Sequence, residues 1–137
     1  MKKWVFLFFL IICSRIIYAD INFSVEIRNV TINGGIIILG IYFNEQSFRN
    51  QSPDITLNII PNNNVIIQEI ILSTGFYVIG VHQDTNGNGI MDYGLFGIPR
   101  EPYGFSNMRG RIPGNFNDLK FEIKEGNNSI IIPLVRF

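Results

Sequence analysis

Asp84, Asn86 and Asn88 put an oxygen-bearing side chain at every second position of the run Asp84-Thr85-Asn86-Gly87-Asn88-Gly89-Ile90-Met91-Asp92. Gly89 follows and Asp92 closes the run. A hard cation such as Ca²⁺ needs several oxygen ligands at short range, on a backbone able to wrap around it. With Asp84 at position 1 of a calcium loop, Asn86 and Asn88 take positions 3 and 5, the Ile90 carbonyl position 7 and Asp92 position 9. Position 12, which calls for a bidentate acid, is Leu95, so the missing carboxylate is assigned to Glu101, returned by a turn at Gly97-Ile98-Pro99. Two local carboxylates and two amides predict weak affinity, on the order of 10⁻⁴–10⁻³ M, sufficient outside a cell. The competing reading is a tight Asx-turn loop that holds no ion, since Asn-Gly and Asp-rich turns are common.

A second motif follows, Tyr103-Gly104-Phe105-Ser106-Asn107. Tyr103 and Phe105 either plug one end of the domain or, with Asn107 and the nearby Arg100 and Arg109, form a surface for a sugar ring or a peptide. Catalytic chemistry finds little support. After residue 19 the chain has His82 as its single histidine and no cysteine, and Ser106 is the one serine near these motifs, outside any nucleophile-elbow pattern. A serine relay would need His82 to reach Ser106 with an acid behind it. Asp84 and Glu101 would make a carboxylate pair for glycoside hydrolysis only beside an aromatic-lined cleft.

The chain opens on Met1-Lys2-Lys3, an apolar run from Trp4 to Ile12, and Tyr18-Ala19. This is the pattern of a secretory signal peptide over residues 1–19, cleaved after Ala19. Arg15 interrupts it and it is too short to span a bilayer. Lipidation at Cys13 is disfavoured because Ile12 precedes it where a small residue is wanted. The protein is therefore expected to be exported, to the periplasm, the cell surface or the medium. Residues 20–137 amount to one domain. They carry eight basic residues against eleven acidic ones and no basic cluster, which argues against nucleic acid as a partner. Without cysteine, packing must hold the domain together.

That packing is expected to be all-β. Strand patterns cover Ile21–Ile32, Gly35–Phe43, Ile55–Ile60, Val65–Leu72, Phe76–His82, Leu119–Ile123 and Ile130–Val135. Phe23, Val25 and Ile27 alternate with Asn22, Ser24 and Glu26, as in a strand with one buried face. The continuous runs Ile36–Leu39 and Ile130–Ile132 suit strands covered on both faces or at a sheet centre. No stretch of twelve residues has helical spacing. Seven short strands separated by turn signals predict an antiparallel β-sandwich of immunoglobulin-like or transthyretin-like form. From Asp84 to Asn117 the chain runs without a clear strand, rich in glycine yet bearing Tyr93, Phe96, Tyr103, Phe105 and Phe116. Those rings need burial, so the segment is expected to be a long ordered loop folded over one end of the sheets.

Together, Gly75-Phe76-Tyr77, the Asp84–Asp92 run, Gly97-Ile98-Pro99-Arg100-Glu101-Pro102-Tyr103-Gly104-Phe105-Ser106-Asn107, Pro113 and Phe116-Asn117-Asp118 resemble the bacterial domain family DUF2141 across essentially all of residues 20–137. The resemblance implies an exported bacterial β-sandwich of transthyretin-like or Cna-B-like form, and implies no activity. The chain departs from the family pattern at Gln83, where histidine is frequent, and at Gly94, where asparagine is expected. The Asp84 loop also resembles the calcium loops of surface-protein B-type repeats and, more distantly, the EF-hand. The leading functional expectation is a non-catalytic binding or structural module with a calcium loop, facing a protein or an envelope polymer. The alternative is a carbohydrate- or peptide-binding accessory domain, or a hydrolase, using the Glu101–Asn107 surface.

Overall fold

The computed structural model describes residues 19–137; the segment read as a signal peptide, Cys13 included, lies outside the described residues except for Ala19. Eight strands form: β1 (Asp20–Arg28), β2 (Ile36–Tyr42), β3 (Ile55–Ile59), β4 (Val65–Ser73), β5 (Gly75–Asp84), β6 (Tyr103–Phe105), β7 (Phe121–Ile123) and β8 (Ser129–Pro133). Two short helices, α1 (Glu45–Arg49) and α2 (Phe116–Leu119), and a 3₁₀ turn at Leu95–Gly97 complete the elements among the described residues. One sheet has the order β4-β1-β8; the other has the order β3-β2-β5-β6, with β7 also paired to β5. Among the described residues no helix is long and apolar enough to cross a membrane.

The period-2 pattern dictates the packing. Phe23, Val25 and Ile27 of β1, Ile37, Leu39 and Ile41 of β2, and Ile79 of β5 are fully buried in one hydrophobic core shared by both sheets. Each such side chain removed from water is worth roughly 1.5–3 kcal/mol. A smaller cluster of Val78, Phe116 and Leu119, with Tyr42, Phe48, Phe105 and Met108 against it, covers the opposite face of the five-stranded sheet. The run Ile36–Leu39 is thus central and partly covered on its second face. Ile131 behaves otherwise and is 48% exposed, because β8 is an edge strand whose outer face nothing described here covers.

Four expectations need correction. The described residues form eight strands, because β6 lies inside the segment expected to lack strands. Its centre is Gly104, where a Cβ would stand 2.6 Å from the Pro133 carbonyl oxygen, so close packing removed the side chain that would have marked the alternation. The sheets are not wholly antiparallel: β1 and β8 pair in parallel, Val25 opposite Ile130 and Ile27 opposite Ile132. The first strand stops at Arg28, not Ile32, because Asn29 takes a positive φ of 62° and sends its side-chain amide to the Leu134 carbonyl. Leu119 belongs to α2: Asn115 and Asp118 form a reciprocal capping box that winds one helical turn before β7 begins.

Truncating the core centre, Leu39→Ala, is expected to lower the unfolding free energy by about 2–5 kcal/mol in urea titrations. Ile131→Thr, on the open face, should change it by less than about 0.5 kcal/mol.

Candidate functional site

β5 carries the chain to Asp84, whose strand partner on β2 is Ile36. The approach is tight: Gly35 has φ +98°, and a Cβ there would fall 1.8 Å from the Asp84 carbonyl oxygen. Only glycine permits that turn beside that strand end. Gln83, fully buried, locks the same turn, accepting from the Thr31 N–H at 3.0 Å and donating to the Thr31 carbonyl at 2.7 Å.

From Asp84 the loop closes on its own side chains. The Asp84 carboxylate accepts the Gly87 and Gly89 N–H groups, one on each oxygen, both at 2.8 Å. Asn86 Oδ1 accepts the Asn88 N–H and Asn88 Oδ1 accepts the Ile90 N–H, each at 3.0 Å. These successive Asx turns explain the every-second-residue spacing in hydrogen-bond terms. The amide nitrogens of Asn86 and Asn88 both donate to the Asp92 carboxylate. The Ile90 side chain points to solvent, 63% exposed.

The chain then returns. A bridge pairs Tyr93 with Pro99, the Gly94 N–H donates to the Ile98 carbonyl at 2.7 Å, and the Arg100 N–H to the Asp92 carbonyl at 2.9 Å. This hairpin delivers Glu101 to the loop base, where its Oε1 accepts the Thr85 N–H at 2.7 Å and the Thr85 hydroxyl at 3.1 Å, and its Oε2 faces the Asp92 N–H at 3.4 Å. Of the residues singled out from the sequence, Asp84, Asn86, Asn88, Asp92 and Glu101 are therefore linked in one network. Asp84 and Glu101 are 1% and 3% exposed, and among the described residues neither belongs to an ion pair.

Burial by its own loop would raise the Asp84 carboxyl, but the N–H groups of Gly89, Gly87, Asn88 and Asn86 outweigh it and hold the carboxyl below its ordinary value. His82 is moved the other way. Burial lowers its imidazole, against the raising influence of Glu101 and Asp84, and its buried Nε2 has no partner among the described residues.

As a cation site, the loop offers the right chemistry and a specific competitor. All the donors are oxygens, as a hard cation requires. Each Asp84 oxygen spends one lone pair on an N–H and retains capacity for another bond. The two asparagine amides meanwhile present nitrogens to Asp92, so a cation would have to displace them. Among the described residues no three His, Cys, Asp or Glu side chains form a metal-binding group by themselves.

The Tyr103–Asn107 segment is mostly interior. Tyr103 is 2% exposed and its hydroxyl donates to the Arg111 carbonyl. The Phe105 ring lies over Gly80, where a Cβ would meet it at 2.6 Å. The buried Ser106 hydroxyl donates to the Leu119 carbonyl at 2.8 Å and accepts the Ile79 N–H at 3.0 Å, so it braces β5 and makes no bond to His82. Asn107 donates to the Lys120 carbonyl at 2.8 Å. Sequence reasoning missed Gln83 as the brace of the loop base; its signal was a polar residue continuing the inward-facing series Tyr77, Ile79, Val81.

Residues 25–131 match the model of a family described as an uncharacterized protein conserved in bacteria, DUF2141. No curated protein and no solved structure matches the chain.

The depressed Asp84 carboxyl predicts an acid-labile loop. With a folded pKa below the ordinary 3.8, its stabilisation is complete above that value and is lost as pH falls through the folded one. Between about pH 5 and pH 2 the protein should therefore lose more unfolding free energy than Asp84→Asn does. At neutral pH Asp84→Ala, which strips acceptors from two N–H groups, should cost about 2 kcal/mol and speed amide exchange at Gly87 and Gly89.

Proposed function

The chain belongs to the DUF2141 family, and we propose that it is an exported bacterial β-sandwich module that binds Ca²⁺ through Asp84, Asn86, Asn88, Asp92, the Ile90 carbonyl and Glu101. In this reading the two sheets sharing one core are the layers of the sandwich. The role is non-catalytic: a binding or structural module at the cell envelope, facing a protein or an envelope polymer. Export rests on the charged, apolar and small-residue pattern of residues 1–19.

One observation carries the calcium reading. Two buried carboxylates, Asp84 and Glu101, flank Thr85 at the base of an oxygen-rich loop with no basic side chain paired to either among the described residues. Buried anions are costly unless paired, hydrogen-bonded or bound to metal. Backbone N–H groups supply dipoles here, and a divalent cation would supply the missing charge. Both Asp92 and the two asparagines already converge, so binding requires a change of partner more than a change of backbone path. That competition fits a weak site, on the order of 10⁻⁴–10⁻³ M, matched to extracellular calcium.

The test is a thermal melt of residues 20–137 in EDTA and in rising CaCl₂, with MgCl₂ as control. At ten times Kd a ligand specific to the folded state adds about 1.4 kcal/mol, which should raise Tm by about 5 °C in a domain of this size. Asp84→Ala and Asp92→Ala should each abolish the rise. A flat Tm to about 10 mM calcium would overturn the proposal.

A further inference from the structure

The outer face of the five-stranded sheet holds a groove of about 900 Å³, within the range of small-ligand sites. Gly40 of β2 and Gly80 of β5 are direct strand partners beneath it, and Pro53 and the Phe105 ring lie over them to form its floor. One wall is aromatic, with Tyr42, Phe48 and Phe105 half-buried and joined edge-to-face through Phe48. The other wall is the loop itself: Ile90, Met91 and Tyr93 all line it.

Three properties select the occupant. The acidic and basic side chains that line the groove, Glu45 and Arg49, pair with each other at 2.9 Å. It presents ring faces, with Tyr93 half exposed at the rim. It also holds unused hydrogen-bonding groups. Among the described residues the Tyr42 and Tyr93 hydroxyls make no bond, unlike those of Tyr77 and Tyr103. An ionic ligand would meet no counter-charge here. A purely apolar one would cover the Tyr42 and Tyr93 hydroxyls and leave them unpaired. A ring with one apolar face and a rim of hydroxyls satisfies both demands.

We propose that this groove binds a neutral sugar residue of a glycan chain, stacked against Tyr93 and Tyr42 and hydrogen-bonded to their hydroxyls. It extends the binding role proposed above by naming the polymer class, and it rests on that role but not on the calcium. Because the loop forms one wall, calcium that orders the loop also sharpens the groove, and the glycan is predicted to bind more tightly with the ion present.

The experiment is a heteronuclear NMR titration of residues 20–137 with cellohexaose, maltohexaose and N-acetylglucosamine hexamer, each to 10 mM, in CaCl₂ and in EDTA. At least one glycan should give saturable shifts at Tyr93, Gly80 and the His82 ring. Tyr93→Ala, at an exposed position, should weaken that binding about tenfold. Thr56→Tyr, which puts a bulky ring on a groove-lining edge strand, should block it while leaving the rest of the spectrum intact. No saturable shift with any of the three glycans overturns the proposal, as do shifts that survive both variants. Glycan shifts equal in EDTA and calcium, with a flat melt, would remove the metal and leave the sugar site standing. A calcium-dependent melt without glycan shifts would do the reverse.

Discussion

Two buried carboxylates without a basic partner among the described residues organise the distinctive part of this molecule. Asp84 gathers the N–H groups of Gly87 and Gly89, and Glu101 gathers the N–H and hydroxyl of Thr85 from sixteen residues away. Each anion is thereby surrounded by donors that have no other use, because the loop forms too few sheet bonds to satisfy its own backbone. The arrangement resolves two costs at once: the loop's unpaired N–H groups and the desolvated charges. It also makes the loop conditional, since whatever changes the charge of those two groups changes the loop.

The sheets supply the rigidity this needs. β5 is the shared element, paired with β2 along most of its length and with β6 and β7 at different points. Its inward residues build the core, and its outward residues Val78, Gly80 and His82 underlie the excursion. The excursion is held by specific joints: Ser106 between Ile79 and Leu119, Phe105 over Gly80, and Asn107 on the Lys120 carbonyl. A domain without a disulfide thus keeps a long segment in place through side chains that fill the gaps left by glycines.

Much of this was legible in the residues, and the illegible parts share a cause. Period-2 alternation revealed β1 because one face meets the core and the other meets water, and the same asymmetry holds in most strands. Ile130–Ile132 misled: continuous apolarity suggested two covered faces, whereas Ile131 is exposed on an edge strand. β6 was hidden because Gly104 is fixed by a neighbour 29 residues later, at Pro133, which no local pattern records. The parallel pairing of β1 with β8 is equally non-local. In the loop, residue types named the participants, but two chemistries use the same spacing. Asx turns and oxygen ligation both want an acceptor at alternate positions, so the pattern alone does not separate them.

The parallel pairing also gives the domain a direction. Asp20 pairs with Ser73 at one end of β1, while Arg28, at the other end, lies near Leu134, and Phe137 stacks on Tyr103 beside the loop base. Nine residues of strand separate the two ends by about 26 Å. Asp20 therefore stands at the pole remote from Asp84–Glu101, and Phe137 at the pole that carries them. Immobilised through the leading side, the molecule would stand with its loop and groove outermost. A fusion placed on the trailing side would crowd them, so the choice of tag end decides whether the distal pole is open to a partner at all.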